Sequence, residues 1–247
     1  SACLVGSEMC IRDSWQMGNP MKFKEAVTYD DMLMVPQYSD IKSRSEVDIS
    51  SDLGRGKVLE LPIIASPMDT VSEDRMAIAM NNAGGMAILH RYNTVEEQAK
   101  MAQHAIQKTD WSGNVAAAIG VTDDYMRRAE ALVAAGVDTL CVDVAHGHHI
   151  LMKEALKNLR EEYDNHIHIM AGNVCTLEGV NDLADWGADS IRCNIGGGSI
   201  CSTRVVTGHG VPGLQTIFDC ARTDRDVAII ADCLLYTSDA ADDLLCV

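Results

Sequence analysis

Short apolar runs recur along this chain, and segments with helical periodicity separate them. Seven runs have this character: LPIIAS (61–66), GMAILH (85–90), VAAAIG (115–120), TLCVDV (139–144), IHIMAG (167–172), SIRCN (190–194) and VAIIAD (227–232). Strands that are apolar along their whole length are typical of a parallel sheet that is covered on both faces. The chain is therefore predicted to be an α/β protein in which strands and helices alternate.

The segments between the runs carry helix signals. In DDYMRRAEALVAAG (123–136) the apolar residues fall on one stripe, and Gly136 is expected to end the helix. TLEGVNDLADWGAD (176–189) repeats this design, with Thr176 as the N-cap and Gly187 as the stop. Both segments therefore predict one helix followed by a glycine turn into the next strand.

This β/α regularity favours a TIM (β/α)8 barrel, and a chain of 247 residues has the usual length of one. Seven strands are one fewer than a closed barrel needs, so we expect about seven of the eight β/α units and an incomplete barrel. The alternative is an open doubly wound sheet. Residues 17–232 are assigned to this partial catalytic barrel.

Polar or small residues follow five of the strand ends. They are Ser66 to Asp69, His90 and Arg91, Asp143 to His149, Gly172 and Asn173, and the segment that begins at Asn194. In a barrel all of these points lie at the C-terminal mouth, where catalysis takes place, whereas an open sheet gathers ligands only near its switch point. Their convergence favours the barrel.

The two ends of the chain fit no pattern around them. CLVGSEMCIRDS (3–14) and CLLYTSDAADD (233–243) resemble translated adapter sequence, although SDAADDLL also has the composition of a short capped helix. We therefore expect residues 1–16 and 233–247 to be non-native tails and the barrel to be truncated after Asp232.

The charge balance limits the classes of partner. The chain has 36 acidic and 20 basic residues and a formal net charge of -16, which disfavours binding to nucleic acid or to anionic membranes. A phosphate can still bind to a local nest of backbone N–H groups. The nine cysteines form no C-x-x-C pair, and residues 1–16 lack a basic segment leading into an apolar one. These features predict reduced thiols and a cytoplasmic protein.

The segment NIGGGSICSTRVVTGHG (194–210) carries the strongest chemical signal. Its consecutive glycines, Gly196 to Gly198, can turn backbone N–H groups toward one anion, and Ser199 adds a hydroxyl donor. A mobile turn is an equally good interpretation of these residues alone. No lysine follows the glycines, so the segment is not a P-loop.

Cys201 lies just beyond the glycines. Positive potential near a thiol lowers its pKa and supplies the reactive thiolate, which could attack a nucleotide held at the nest. The alternative is a buried, inert cysteine, the interpretation given to Cys141, Cys175, Cys193 and Cys220. Thr203 and Arg204 could position or activate a water or ammonia.

Three further polar residues lie at or near strand ends. Asp143 suits recognition of a ribose hydroxyl or an amide, and the spacing of the histidines after it does not suit zinc. Asn173 is a second polar residue at the end of a predicted strand. Arg192 lies inside a strand, where a buried charge is costly, so it should face the mouth or a carboxylate.

Together these motifs resemble those of the IMP dehydrogenase/GMP reductase family. The loop at 194–210 is similar to the family's catalytic pattern G-x-G-S-[IV]-C-x-T. The other matching motifs follow in the family's order: YDDMLMVPQYSDI (29–41), SPMDTVSE (66–73), VDVAHGH (142–148), AGNV (171–174) and PGLQTIFDCA (212–221). The resemblance extends from about residue 21 to residue 232, and the motifs are highly specific as a set.

The resemblance implies a purine nucleotide oxidoreductase. Cys201 would be the nucleophile that attacks C2 of a purine 5′-monophosphate (GMP or IMP) and forms a covalent intermediate, and Thr203 would help to activate the second reactant. Ser66 and Ser199 would contact the 5′-phosphate, and Asp232 would contact the ribose hydroxyls. The full-length parent would be a homotetramer.

The same resemblance assigns a cofactor and an ion. The residues that would line the side of the mouth holding the nicotinamide cofactor, NADP or NAD, are Asp143, Asn173 and Arg192. The backbone carbonyls of Gly196, Gly198 and Cys201 match positions that hold a monovalent cation such as K+. At Cys193 and Asn194 the chain departs from the family, which has Val-Gly there.

The choice between the family's two activities rests on small signals. Dehydrogenases usually insert a pair of CBS modules after the second strand, and only about one helix fits between 90 and 115 here. TGHG (207–210) resembles reductases, whereas TRVV (203–206) resembles bacterial dehydrogenases. We favour GMP reductase, with IMP dehydrogenase as one alternative and a catalytically inactive nucleotide-binding fragment as another.

Overall fold

Seven parallel strands form one curled sheet in which neighbours in the chain are neighbours in space. The computed structural model describes residues 25–109, 114–198 and 201–232, so the predictions for residues 1–16 and 233–247 lie outside the described residues. The strands are β1 (Ser51–Asp52), β2 (Val58–Leu59), β3 (Ile64–Ala65), β4 (Met86–Leu89), β5 (Val115–Ile119), β6 (Thr139–Asp143), β7 (His168–Val174), β8 (Ser190–Cys193) and β9 (Ala228–Ala231). The sheet has the order β3-β4-β5-β6-β7-β8-β9.

This strand order decides between the two predicted architectures. A doubly wound sheet reverses its order at a switch point, and the sequential order from β3 to β9 contains no reversal. The sheet also curls far enough for the Ser66 hydroxyl, after β3, to donate a 2.9 Å hydrogen bond to Asp232, after β9. The predicted incomplete TIM barrel is therefore confirmed, and the doubly wound alternative is wrong.

Helices connect the strands as the periodicity predicts. They are α1 (Asp74–Asn82), α2 (Val95–Lys108), α3 (Tyr125–Ala134), α4 (Ile150–Tyr163), α5 (Leu177–Asp185), α6 (Thr203–Thr207) and α7 (Gly213–Cys220). The Thr176 hydroxyl caps α5 by accepting a hydrogen bond from the Gly179 N–H at 3.1 Å. Gly136 and Gly187 follow their helices at φ +98° and +116°, a conformation that favours glycine. None of the helices in the described part of the chain is long and apolar enough to cross a membrane.

The inner strands of the sheet, β4 to β8, are buried on both faces, and alternate residues serve two separate apolar layers. On β4, Ala87 and Leu89 pack against the helices, in the layer that also contains Leu156 of α4 and Leu132 of α3. The opposite face of β4 contributes Met86 and Ile88 to the barrel interior, with Cys141 and Met170. This double burial explains why the strands are continuous apolar runs rather than alternating ones.

A two-stranded hairpin, β1 and β2, closes the N-terminal end of the barrel and was not predicted. Leu53 and Leu59 insert into the interior layer. Arg55 forms an ion pair with the buried Asp189 at 2.5 Å, and Lys57 forms one with Asp138 at 2.8 Å. The hairpin thus fills the end of the barrel away from the mouth.

His168 lies in β7 near this hairpin and is held in its neutral form. Only 6% of its surface is exposed, and one ring nitrogen lies 2.9 Å from the Ser190 hydroxyl. Burial lowers the pKa of His168 from 6.5 to about 4, despite the opposing influence of the nearby Asp189. In the unfolded chain the same imidazole binds a proton at the ordinary value.

We therefore expect acid to destabilise the fold through His168. Its contribution is fully present above pH 6.5 and is lost as the pH falls toward about 4, because only the unfolded chain gains the proton. Between pH 7.5 and pH 5 this loss is about 2 kcal/mol. Urea unfolding of the native protein and of His168→Gln at both values would measure it.

The variant should lose this part of the pH dependence, since glutamine can keep a hydrogen bond to Ser190 but does not titrate. His166→Gln is the matched control, because His166 is exposed two residues away. Equal pH dependence in the native protein and in His168→Gln would contradict the assignment.

Candidate active site

One buried arginine joins three strand ends at the mouth of the barrel. Arg192 of β8 is 4% exposed. Its Nη1 donates to Oδ1 of Asp143 at 2.6 Å, and its Nη2 donates to Oδ2 of Asp232 at 2.8 Å and to Oγ of Ser66 at 3.2 Å. The prediction that Arg192 faces a carboxylate is confirmed, and it faces two.

Asp232 accepts two hydrogen bonds in addition to its ion pair with Arg192. The Ser66 hydroxyl donates to Oδ1 at 2.9 Å, and the Asn173 amide donates to Oδ2 at 2.5 Å. Burial alone would raise the pKa of Asp232, but the charge of Arg192 and these hydrogen bonds lower it below its usual value. Asp232 is therefore a fixed carboxylate that can accept hydrogen bonds.

A glycine lets these groups approach one another. A Cβ atom at Gly172 would lie 2.7 Å from Cβ of Arg192 and 2.8 Å from its carbonyl oxygen. Only glycine fits at that distance, so β7 can lie against β8 with Asn173 beside Asp232. The sequence places Gly172 at a strand end but gives no sign of this contact.

Asn194 connects this cluster to the glycine-rich loop. Its side chain donates to the Asp232 carbonyl at 3.0 Å, and its own carbonyl accepts from Asn173 at 2.9 Å. A Cβ at Gly197 would lie 2.4 Å from the Asn194 amide nitrogen, so the loop rests directly on this side chain. Sequence reasoning noted Asn194 only as a departure from Val-Gly. The available signal is the asparagine itself, because asparagine tolerates a positive φ, here +134°, better than most residues.

Arg204 folds the loop back on itself. Its Nη1 donates to the carbonyl oxygens of Gly196 at 2.8 Å and of Gly198 at 3.3 Å. The Gly198 carbonyl also accepts the backbone N–H of Cys201 at 3.2 Å. Loop carbonyls thus point at a guanidinium, which the sequence pattern did not predict.

Cys201 is half-buried and has the features of a reactive thiol. Burial raises its pKa, but several donors favour the thiolate, namely the hydroxyl and backbone of Thr203, the backbone of Gly196 and the charge of Arg204. Their combined effect lowers the pKa below the usual value. These contacts therefore favour the thiolate, which is the reactive form of a cysteine.

The other described cysteines are in different surroundings. Burial raises the pKa of Cys141 to about 12 and also raises that of Cys175. Cys193 is buried in the core, and its hydrogen bond to Cys220 together with burial raises its pKa. The same hydrogen bond lowers the pKa of Cys220, but the Cys220 side chain is fully buried and out of reach of a reagent in solution. The thiol of the glycine-rich loop thus combines partial exposure with a lowered pKa.

The structure therefore brings together most of the residues that the sequence singled out. The cluster on Arg192 unites Ser66, Asp143, Asn173, Arg192 and Asp232. The loop holds Cys201 and Thr203 with Gly196 and Gly198, and Ser199 lies outside the described residues. Among the histidines, His148 lies 2.8 Å from Asp182 on α5, and no group of three metal-ligating side chains occurs in the described part of the chain.

The predicted monovalent cation fits poorly with these contacts. Gly196 and Gly198, two of the three residues assigned to the ion, already direct their carbonyls at the guanidinium of Arg204. A second positive charge at the same oxygens would be repelled.

Comparisons with known proteins agree with this geometry. A family profile described as the IMP dehydrogenase / GMP reductase domain matches residues 26–242. The chain is 28% identical to inosine-5′-monophosphate dehydrogenase of Nitrosopumilus maritimus, with 86% of this chain and 70% of that protein aligned. It is 29% identical to GMP reductase of Leishmania donovani, with 87% and 71% aligned.

A solved structure has the same architecture. GMP reductase from Trypanosoma brucei, crystallised with guanosine 5′-triphosphate, superposes with a TM-score of 0.78 at 27% identity. The match covers 85% of this chain and 81% of that one. The barrel of this chain therefore has the architecture of that GMP reductase, and its aligned relatives include proteins of both names.

Proposed function

The chain belongs to the IMP dehydrogenase/GMP reductase family, and we propose that it is a purine nucleotide oxidoreductase that forms a covalent bond to its substrate through Cys201. One observation carries the proposal. A half-buried thiol with a lowered pKa lies in a loop that rests, through Asn194, on the cluster of Arg192, Asp232 and Asn173.

In this proposal the cluster orients a purine 5′-monophosphate. Asp232 is held as a carboxylate, so it can accept hydrogen bonds from the ribose hydroxyls. Ser66 and Ser199 contact the 5′-phosphate. The substrate then lies across the mouth with the purine directed toward Cys201.

Asp143, Asn173 and Arg192 form the cofactor side of the site. Asp143 suits this role because its side chain is 22% exposed while its carboxylate is fixed by Arg192, so it can accept a hydrogen bond from a ribose or an amide. A nicotinamide cofactor, when bound, supplies the hydride chemistry, either as donor or as acceptor.

The thiolate performs the bond-making step. In the reductase direction, the Cys201 sulfur adds to C2 of GMP, and the 2-amino group leaves as ammonia after it takes up a proton. C2 then accepts a hydride, the C2–S bond breaks, and its electron pair returns to sulfur as IMP forms. Thr203, which is hydrogen-bonded to Cys201, would help to activate the second reactant.

We favour GMP reductase, which converts GMP, NADPH and a proton to IMP, NADP+ and ammonia, over IMP dehydrogenase, which converts IMP, NAD+ and water to XMP, NADH and a proton. The short connection between β4 and β5 does not distinguish a GMP reductase from an IMP dehydrogenase. The alignment to the Leishmania donovani GMP reductase extends over 349 positions, more than the 247 residues of this chain, so that reductase also has additional segments. The preference rests on TGHG (207–210).

Alkylation of the native protein tests the proposal before any turnover is measured. Iodoacetamide is expected to modify Cys201 faster than Cys141, Cys175, Cys193 or Cys220, because the thiolate is the reactive form. GMP or IMP should slow the reaction by covering the thiol. Peptide mass spectrometry over time would follow each cysteine separately.

Three outcomes separate the alternatives. If all of the cysteines were labelled at the same rate, and GMP and IMP did not change that rate, the covalent role of Cys201 would be refuted. Protection without any change in nicotinamide absorbance, with either GMP and NADPH or IMP and NAD, would favour an inactive nucleotide-binding fragment. Equal protection by ribose 5-phosphate would favour a barrel enzyme that acts on a sugar phosphate.

A further inference from the structure

The glycine-rich loop has its own cation. The Arg204 guanidinium donates to the Gly196 and Gly198 carbonyls from the first turn of α6, only three residues after Cys201. We infer that Arg204 takes the place of a monovalent cation in this loop, so that the loop keeps Cys201 in its reactive position without K+. This inference rests on the proposed function, because it concerns the positioning of the proposed nucleophile.

The backbone is shaped around this arginine. Gly196 has φ +78°, and a Cβ there would lie 3.1 Å from Cβ of Arg204 and 3.0 Å from the His209 carbonyl. The N–H of Gly208 caps α6 by donating to the Arg204 carbonyl at 3.1 Å. Both ends of the loop therefore meet at Arg204, and its position is defined by backbone contacts as well as by its side chain.

A tethered charge has an advantage over a free ion. The guanidinium has five N–H donors and remains protonated at all ordinary pH values, so it can bind several carbonyls at once. Because it belongs to the same segment, it acts at a high effective concentration, against which dissolved K+ must compete. Two positive charges on the same two oxygens would repel each other.

Cys201 and Arg204 share one acceptor in the loop. The Gly198 carbonyl accepts the Cys201 backbone N–H at 3.2 Å and the Arg204 guanidinium at 3.3 Å. Arg204 is thus a positioning residue, which acts on the nucleophile through the loop. Removing it leaves the carbonyls of Gly196 and Gly198 without this donor and reopens a place for an ion.

The experiment measures how Cys201 alkylation depends on the cation present. Iodoacetamide labelling of the full chain is followed by peptide mass spectrometry in K+ and in tetramethylammonium at equal ionic strength. The native protein should react equally fast in both. Arg204→Met should react about threefold or more slowly in tetramethylammonium, and K+ should restore the native rate.

Two further variants make the result specific. Arg204→Lys keeps a positive charge and should remain independent of K+. Arg127→Met removes an exposed arginine on α3 whose ion pair with Glu96 is distant in sequence from the loop, and it should behave as the native protein does. If Arg204→Met only disrupted the structure of the loop, the labelling rate of Cys201 would change in both salts, and K+ would not restore it.

The inference is overturned if the native protein requires K+ for its labelling rate, or if Arg204→Met shows no response to K+. The native measurement needs no variant, so a misfolded Arg204→Met would leave the test intact. Failure of GMP or IMP to protect Cys201 would count against the proposed function alone, since the cation response does not depend on nucleotide.

Discussion

Cys201→Ser is expected to reduce turnover about 10³-fold or more while nucleotide binding persists. The serine hydroxyl has the shape of the thiol, but it is not ionised by the contacts that lower the pKa of Cys201. The side chain is half-buried in a loop and is not part of the core, so the fold should be retained. The loss should therefore appear in kcat.

Turnover is measured by nicotinamide absorbance with GMP and NADPH and with IMP and NAD, and binding by calorimetry. Cys175→Ser is the matched control, because that half-buried thiol lies after β7 and outside the loop. It should leave kcat close to the native value. Native-like turnover by Cys201→Ser would exclude a covalent intermediate at this residue.

Arg192→Met is expected to cost about 3–5 kcal/mol in the free energy of unfolding. Methionine keeps most of the volume, but it leaves the Asp232 carboxylate, 7% exposed, without the charge that compensates its burial. Asp143 and Ser66 also lose the hydrogen bonds that Arg192 donates to them. Urea unfolding at neutral pH would measure the change.

Two comparisons isolate the charge. Arg192→Met combined with Asp232→Asn should recover part of the loss, because the buried carboxylate is removed together with its partner. Arg127→Met should leave the free energy of unfolding nearly unchanged, since its ion pair with Glu96 is exposed on both sides. Equal costs for Arg192→Met and Arg127→Met would mean that the cluster is not a buried ionic centre.

The strands and helices could be predicted because their signals are local. Six of the seven strands of the sheet fall within the predicted apolar runs, and β7 extends two residues beyond its run, to Val174. The stop signals at Gly136 and Gly187 correspond to residues with positive φ. The β1–β2 hairpin escaped prediction because each of its strands has two residues, too few to show a period. Its stability comes from Leu53 and Leu59 inserting into a barrel that other segments build.

The site was predictable in part for a similar reason. Strand ends converge in any barrel, so Ser66, Asp143 and Asn173 could be expected at one mouth. The partners of Arg192 follow from the cost of burying its charge, although which carboxylates they are depends on strand register. The contacts of Arg204 and Asn194 could not be predicted, because each depends on how one irregular loop returns to its own backbone.

The hydrogen bond from Ser66 to Asp232 has a consequence for the synthesis of the chain. Its two residues are 166 positions apart, so translation at 5–20 residues per second separates their appearance by roughly 10–30 s. Asp143 is synthesised before Arg192, so these two residues can pair first, whereas Asp232 is synthesised 40 residues after Arg192. A cluster of Arg192 and Asp143 carries no net charge, so the mouth gains its net negative charge only when the last strand brings the second carboxylate, Asp232.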